Sequence, residues 1–412
     1  MHEHDDGTIK HLTAALILFQ ILSFAALAPM NYHNVYLKQI GFTSQQIGLW
    51  GSINGVVAMV TLPLWGIVAD KTRSGKVTFV LSMIVYGVIY TLLPVAGKFT
   101  AVTMLPVYAL LFVYGTVKQS TRSLQDAFFV AAAAPFSINY ASLRMWGAFG
   151  FAVVSVVIGL IVPYTGVDFL FYLAAAFSAV FAVLCLRFRE PNAPTGRGAR
   201  IVREKMRPWV LFKNYYYVCA LIMVLALAAY HALTLSFFPY IFEHAGVSSD
   251  NVGVITGYGA FVQGVLMWSM THFGQKTKAY KWLIFAGVVA ACENIVYATA
   301  NGMPMLFLAG TLWGVEMGIN VSVMPRYVHS LVPHEYATTA QTFNGTVIMM
   351  LCVVGNVAAG YLIAAVGIST YNICVAAFQF VLTMLFTASI PFGAKILKKT
   401  PPWEAAAEMV CE

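Results

Sequence analysis

Predominantly apolar runs of about twenty residues or more recur along this chain, separated by short polar segments. Wound as a helix, such a run matches the hydrocarbon thickness of a bilayer. Runs fall near 11–37, 45–69, 77–97, 101–132, 138–163 and 167–187. A second set lies near 214–241, 250–272, 280–300, 303–330, 337–365 and 368–394. Composition agrees, with 60% hydrophobic and only 10% charged residues, against roughly 25% charged in a soluble domain. Too few charges are present to wet a soluble surface, whereas a membrane protein needs only wetted loops. The expected fold is an all-α membrane protein, with twelve transmembrane helices in two pseudo-symmetric six-helix bundles.

The formal charge of +8 would suit a nucleic-acid binder if it were clustered on a soluble face. It is not. Eighteen of the 24 Lys and Arg fall in alternate loops or at the termini, near Lys10, Lys71–Lys76, Arg187–Lys213, Lys276–Lys281 and Lys395–Lys399. The intervening loops carry only Lys38 and Lys98. Basic residues retained on one side mark the cytoplasmic face, so both termini and the central linker are expected there. The domains expected are an N-terminal bundle over 1–187, a basic linker over 188–213, and a C-terminal bundle with its tail over 214–412. The acidic start lacks the basic region of a signal peptide, so the first run reads as a retained helix. A short chain without a sorting tail fits a bacterial inner membrane.

Five of the six cysteines lie in apolar stretches and form no CxxC or metal spacing, so they read as small core residues. Tyr215, Tyr216 and Tyr217 read as interfacial anchors. No P-loop, Gly-x-Ser-x-Gly or HExxH motif occurs, and no soluble segment is long enough for a nucleotide-binding domain. Neither an enzyme, a metal nor a cofactor is expected. The expected partners are a small-molecule solute, protons and lipid, with the monomer as the working unit.

The halves also resemble each other. Gly41 to Gly48 reads GFTSQQIG, and Gly246 to Gly253 reads GVSSDNVG, an offset of 205. Lys71, Thr72 and Lys76 fall on Lys276, Thr277 and Lys281 at that offset, while Gly159 and Gly166 fall on Gly360 and Gly367 at 201. Two long stretches at nearly one offset point to duplication.

After the second run the chain reads GIVADKTRSGK, from Gly66 to Lys76. This resembles the G-x-x-x-D-[RK]-x-G-R-[RK] signature of the major facilitator superfamily. Gly66, Asp70 and Lys71 match, and Arg73 replaces the second glycine. The resemblance implies that this loop latches an inner gate, with Gly66 permitting close helix contact and Asp70 capping or pairing. A narrower resemblance is to the branch of proton symporters that includes the lactose, nucleoside and phenylpropionate permeases. It rests on QDAF from Gln125, on YASLRMWG from Tyr140, and on TLWGVE from Thr311. It implies that Asp126 and Arg144 hold solute and that Glu316 carries the proton. Other positions depart: Phe151 stands for a sugar-stacking Trp, Ala260 for an acid, Glu293 for an Arg, Trp313 for a His, and His231 and Thr234 for paired acids. A galactoside does not follow.

The charges within the runs lead the same way without the family. Lys118, Arg122, Asp126, Arg144, Glu293, Glu316 and Arg326 qualify, with His231 as a titratable neighbour. Each charge at mid-membrane costs about 2.5–3.5 kcal/mol on insertion scales, so together they read as a solute or ion path. Lys118, Arg122 and Asp126 recur every four residues and share one helix face. Asp126 lies nine residues before Pro135 and Arg144 nine after, at similar depth if the helices are antiparallel. They suit either solute binding or a simple hairpin clamp. The uncompensated Lys118 and Arg122 lean the reading toward an organic anion, unless Glu293 or Glu316 reaches across to them. Glu316 can bind and release a proton in an apolar setting; Glu293 and His231 are further candidates, with an ion pair and a hydrogen bond to Thr234 as their respective structural alternatives. Arg326 reads as an anchor of the inner end of its helix or as a member of the inner gate. Asn31, Tyr32, His33 and Asn34 suit an outer vestibule or, more simply, an interfacial helix end.

The resulting expectation is a proton-coupled symporter working by alternating access, with its site between the bundles. Lys118, Arg122, Asp126 and Arg144 are its solute residues, and Gly66, Asp70, Lys71 and Arg73 its gate. The alternatives are a sugar or nucleoside symporter, a proton-independent facilitator, and a transporter-derived sensor. The last would usually carry a long extra domain, whereas this linker has roughly 26 residues and the tail about 18.

Overall fold

A computed structural model describes residues 6–72, 74–100, 103–136, 138, 140–188, 208–273, 278–333 and 336–399. Every regular element among them is helical. The α-helices are α1 (Asp6–Leu27), α2 (His33–Gln39), α3 (Ser44–Thr72), α4 (Gly75–Gly97), α5 (Leu105–Ala133), α6 (Tyr140–Thr165) and α7 (Val167–Arg187). They continue as α8 (Tyr215–Ala229), α9 (Phe238–His244), α10 (Val252–Phe273), α11 (Ala279–Ala298), α12 (Met303–Leu331) and α13 (Ala337–Lys395).

Among the described residues, nine helices are long and apolar enough to cross a membrane, and the bent pair α8–α9 makes ten. The expected twelve passes require two further segments. The 59-residue α13 breaks at Gly367, whose φ of 78° and ψ of 164° are not helical. The 29-residue α5 is long enough to cross, but Lys118, Arg122 and Asp126 lower its apolarity. The join between α8 and α9 passes through a π turn at Tyr230–Thr234 and a 3-10 turn at Leu235–Phe237, with a 41° bend.

The chain divides into two compact units, Met1–Ala199 with Ser248–Phe261, and Arg200–Val247 with Val262–Glu412. In the first, α1 packs on α6 and α7, and α4 on α5 and α7. Phe19, Phe79, Phe129 and Phe181 fill its core. The opening turns of α10 belong to this unit because glycines let two backbones meet. A Cβ on Gly253 would lie 2.5 Å from the Ser155 carbonyl oxygen, and one on Gly159 2.6 Å from the Val254 nitrogen. In the second unit α11 packs on α12 and α13, and α8 on α13, around Tyr217, Met223, Ala286, Ile319 and Phe386. Asn214 caps α8 by accepting from the Tyr217 nitrogen at 3.2 Å, and donates to the last turn of α12 at Leu331.

The sequence repeat recurs in the backbone. Gly41 and Gly246 take φ of 97° and 70°, and Gly166 and Gly367 both take 78°, a left-handed region that favours glycine. The matched glycines therefore make matched turns.

Several expectations are corrected. Tyr216 and Tyr217 are core residues, and the Tyr217 hydroxyl donates to the Ala340 carbonyl. Cys292 and Cys374 face outward rather than into a core. Tyr32 and His33 are buried within the first unit, not at a helix end in the interface. Gly66, Asp70 and Lys71 continue α3 as its last turns rather than forming a loop, because Ser74 starts α4 only two residues after α3 ends. Among the described residues nothing comes within 4 Å of a Cβ placed on Gly66, so it makes no close helix contact with them. Arg73 and linker residues 189–207 lie outside the described residues, as does the side chain of Asp70.

Candidate functional site

In the first unit the charged face of α5 meets the opening turns of α6. Arg144 Nη1 donates to Asp126 Oδ1 at 2.9 Å, and the Tyr140 hydroxyl donates to the same oxygen at 2.6 Å. Tyr140 and Arg144 are one turn apart on α6, so both project onto Asp126. The Arg144 guanidinium also lies 4.8 Å from the centre of the Phe24 ring, which meets Phe151 edge-on. The Arg144 and Asp126 side chains are 31% and 47% exposed. An ion pair this wet stabilises a fold by only about 0.2–1 kcal/mol. Its value is as an oriented set of donors and an acceptor on an accessible surface.

Lys118 and Arg122 lie on the same exposed face. The Lys118 ammonium sits 5.9 Å from the centre of the Tyr114 ring. Among the described residues Arg122 has no ion-pair partner; Asp126 is taken by Arg144. The sequence argument for a neutralising anion is thereby weakened, because one cation meets a ring and both reach solvent.

The second unit holds the other candidates. Glu316 on α12 is fully buried; its Oε1 accepts from Asn320 at 3.3 Å, and its Oε2 has no hydrogen-bond partner among the described residues. Glu293 on α11 is equally buried; among the described residues neither of its oxygens meets a well-formed hydrogen bond, and the Tyr297 hydroxyl, one turn on, is its polar neighbour. It is therefore no ion-pair member here. Thr234 donates to Asn294 at 2.9 Å, and Asn294 donates to Gln379 at 2.9 Å. Gln379 in turn donates to the Ala226 carbonyl. These amides tie the broken helix to α11 and α13, a network that single-residue reading does not reveal. Trp313 stacks on Tyr230, with centroids 5.4 Å apart and planes 26° apart. The side chain of His231 lies outside the described residues. Arg326 is exposed and its Nε donates to the Ser322 carbonyl at 2.9 Å, on its own helix.

Tyr140 is the member of this cluster that sequence reading missed. The signal was present, since it stands one turn before Arg144. Tyr140→Phe removes one of the two donors on Asp126. At this half-exposed site the expected loss is about 1 kcal/mol, or roughly a fivefold rise in the KM of uptake. Thermal stability should stay within about 0.5 kcal/mol of the wild type. A larger fall in stability than in affinity would mark Tyr140 as structural.

The sequence matches the MFS_1 like family over residues 13–379. It is 23% identical over 340 residues to a maltose permease of Geobacillus stearothermophilus, covering 81% of each chain. To a sucrose permease of Escherichia coli it is 22% identical over 311 residues, covering 72% of this chain and 73% of the relative. The fold is similar to that of the nucleoside transporter NupG, with a TM-score of 0.72 and 17% identity, covering 92% of this chain and 99% of that one. These likenesses are to membrane transporters and not to enzymes. A match over most of its length places the chain in the MFS_1 like family, as a multi-pass membrane transporter of major facilitator type.

Proposed function

We propose that the chain is a proton-coupled symporter that imports a small hydroxylated solute, of the sugar or nucleoside class, by alternating access. The observation that carries this reading is the Tyr140–Asp126–Arg144 cluster. A sugar hydroxyl needs an acceptor and a donor side by side, and the cluster presents a carboxylate and a guanidinium in one place. The relatives named for maltose, sucrose and nucleosides support the same class. Lys118 and Arg122 contribute further donors on the same face. Glu316, with Glu293, is the proton carrier: a buried carboxyl with unmet oxygens is stable neutral and costly ionised, so occupancy by a proton is coupled to its surroundings. His231 is a further candidate for that role. Gly66, Asp70, Lys71 and Arg73 belong to the inner gate. In this reading residues 1–187 and 214–412 are two bundles joined by a linker over 188–213. Linker and termini face the cytoplasm of a bacterial inner membrane, and the monomer is the working unit.

A second reading is an organic anion. It is favoured by Arg122, which has no acid of its own among the described residues. A thermal-shift titration of the purified protein decides between them, using maltose, sucrose, uridine and small carboxylates at pH 6 and pH 8. Stabilisation by a sugar or by uridine, lost in Asp126→Asn, is the expected result. Stabilisation by a carboxylate alone, lost in Arg122→Gln, selects the anion and overturns the first reading.

A further inference from the structure

The face of α5 that carries the solute residues is backed by a buried aromatic group. Tyr114 stands one turn before Lys118 and is 1% exposed. The His33 ring lies parallel to it, with centroids 4.6 Å apart and planes 13° apart. Tyr90, fully buried on α4, donates from its hydroxyl to that of Tyr114 at 3.4 Å, and the same hydroxyl lies 3.4 Å from His33 Nδ1. Tyr86 packs against Tyr90 at 4.5 Å. The Tyr114 ring is thus held on its face by the first residue of α2 and at its hydroxyl by α4. The helix beneath it is fixed as well, since a Cβ on Gly115 would lie 2.7 Å from Asn54 Oδ1 on α3.

Two neighbouring elements, α2 and α4, converge on one ring, and the Lys118 ammonium lies over that ring. A lysine four residues from a tyrosine on a helix meets it only in some rotamers. A ring that turns freely gives that contact little direction. A ring locked by His33 and Tyr90 presents its electron-rich face in one orientation, and a cation there gains a measurable attraction. Lysine has much rotamer freedom to lose, so fixing it before solute arrives strengthens the hydrogen bond that it later donates.

We propose that Tyr114, locked by His33 and Tyr90, is a positioning residue that holds the Lys118 ammonium ready to donate to a solute oxygen. The holding is a property of the first unit alone. Its consequence for transport rests on the reading of α5 as the solute face. Between similar solutes, the fixed ammonium selects for an oxygen at its own height on α5. Loss of the ring should weaken binding of such a solute about three- to thirtyfold, the range expected for a lost cation–ring contact.

The test reads Lys118 directly, without solute. Lysines of the purified protein are dimethylated with 13C-formaldehyde, which keeps their charge, and observed by proton–carbon correlation spectroscopy. The Lys118 signal is identified by its disappearance in Lys118→Arg. It is expected upfield of the exposed lysines through the ring current of Tyr114, to remain so in Tyr114→Phe, and to return to the exposed position in Tyr114→Met. His33→Asn, which removes the stacked partner, should reduce the shift. If Tyr114→Met does not fold, His33→Asn against Tyr114→Phe carries the comparison. A wild-type signal at the exposed position overturns the proposal, as does one unmoved by loss of the ring. Failure of the sugar and uridine titrations with this shift intact would remove the transport reading and leave the positioning standing.

Discussion

Glu316→Gln is expected to abolish accumulation of solute against a gradient while sparing exchange across the membrane. Glu316 is fully buried, with one long hydrogen bond from Asn320 and one oxygen unmet. Glutamine matches the shape of a protonated carboxyl and carries no charge, so the variant is fixed in the proton-loaded form. A membrane potential of about 150 mV is worth roughly 3.5 kcal/mol for one proton, or a few hundredfold in solute ratio. That ratio should fall to about one, because no proton leaves. Exchange needs only that the loaded form reorient, and it should persist. Proteoliposomes loaded with the solute identified by titration allow both measurements on one preparation. Equal loss of the two would deny Glu316 the coupling role and make it a structural residue. The same pair of assays on Glu293→Gln shows whether the second buried carboxyl shares the task.

The second large effect is expected at Gly253. An added Cβ there would lie 2.5 Å from the Ser155 carbonyl oxygen, 2.6 Å from the Tyr32 hydroxyl and 3.0 Å from the Gly159 nitrogen. Two of these are backbone atoms, which do not step aside as the end of a long side chain does. The Tyr32 hydroxyl also bridges this contact, accepting from the Gly253 nitrogen at 2.8 Å and donating to the Asp250 carbonyl at 2.6 Å. Gly253→Ala must therefore part α6 from the opening turns of α10 or break that bridge. Overpacking costs about 1–3 kcal/mol, and a lost hydrogen bond about 0.5–1.5 kcal/mol more. The fall in melting temperature should be plain in detergent. Gly66→Ala is the control, because its Cβ would meet nothing within 4 Å and alanine favours a helix by about 1 kcal/mol. Equal melting temperatures for the two variants would mean that the α6–α10 contact yields more readily than its atoms suggest.

The sequence made the helices legible because each apolar run has to satisfy its backbone internally in lipid. It made the turns at Gly41, Gly166, Gly246 and Gly367 legible too, since a repeated glycine flags a backbone that other residues rarely adopt. The break after α8 was not legible. Tyr230–Thr234 contains neither glycine nor proline, and its polar groups are met from other helices, where Asn294 of α11 accepts from Thr234 and the Tyr371 hydroxyl of α13 donates to the Leu233 carbonyl. Within the site, the approach of Arg144 to Asp126 followed from their equal distance to the α5–α6 turn. The burial of His33 did not, because a histidine beside Asn31 and Asn34 reads as wet until the tyrosines of α4 and α5 are seen around it. Gly66 misled in the opposite direction. A motif glycine suggests close packing, yet among the described residues the last turns of α3 have no neighbour at that position.

The sharing of charge between α5 and α6 also bears on how this protein is made. Lys118, Arg122 and Asp126 leave α5 without the apolarity of its neighbours, and a lone charge costs about 2.5–3.5 kcal/mol at the centre of a helix leaving the translocon. By itself α5 is a poor candidate for release into lipid during synthesis. Arg122 stands one turn from Asp126, but the direct ion pair of Asp126 forms with Arg144, eighteen residues later and on the next helix. The expected unit of insertion is then the hairpin rather than the single helix, because the α5–α6 pair carries its own ion pair into the membrane.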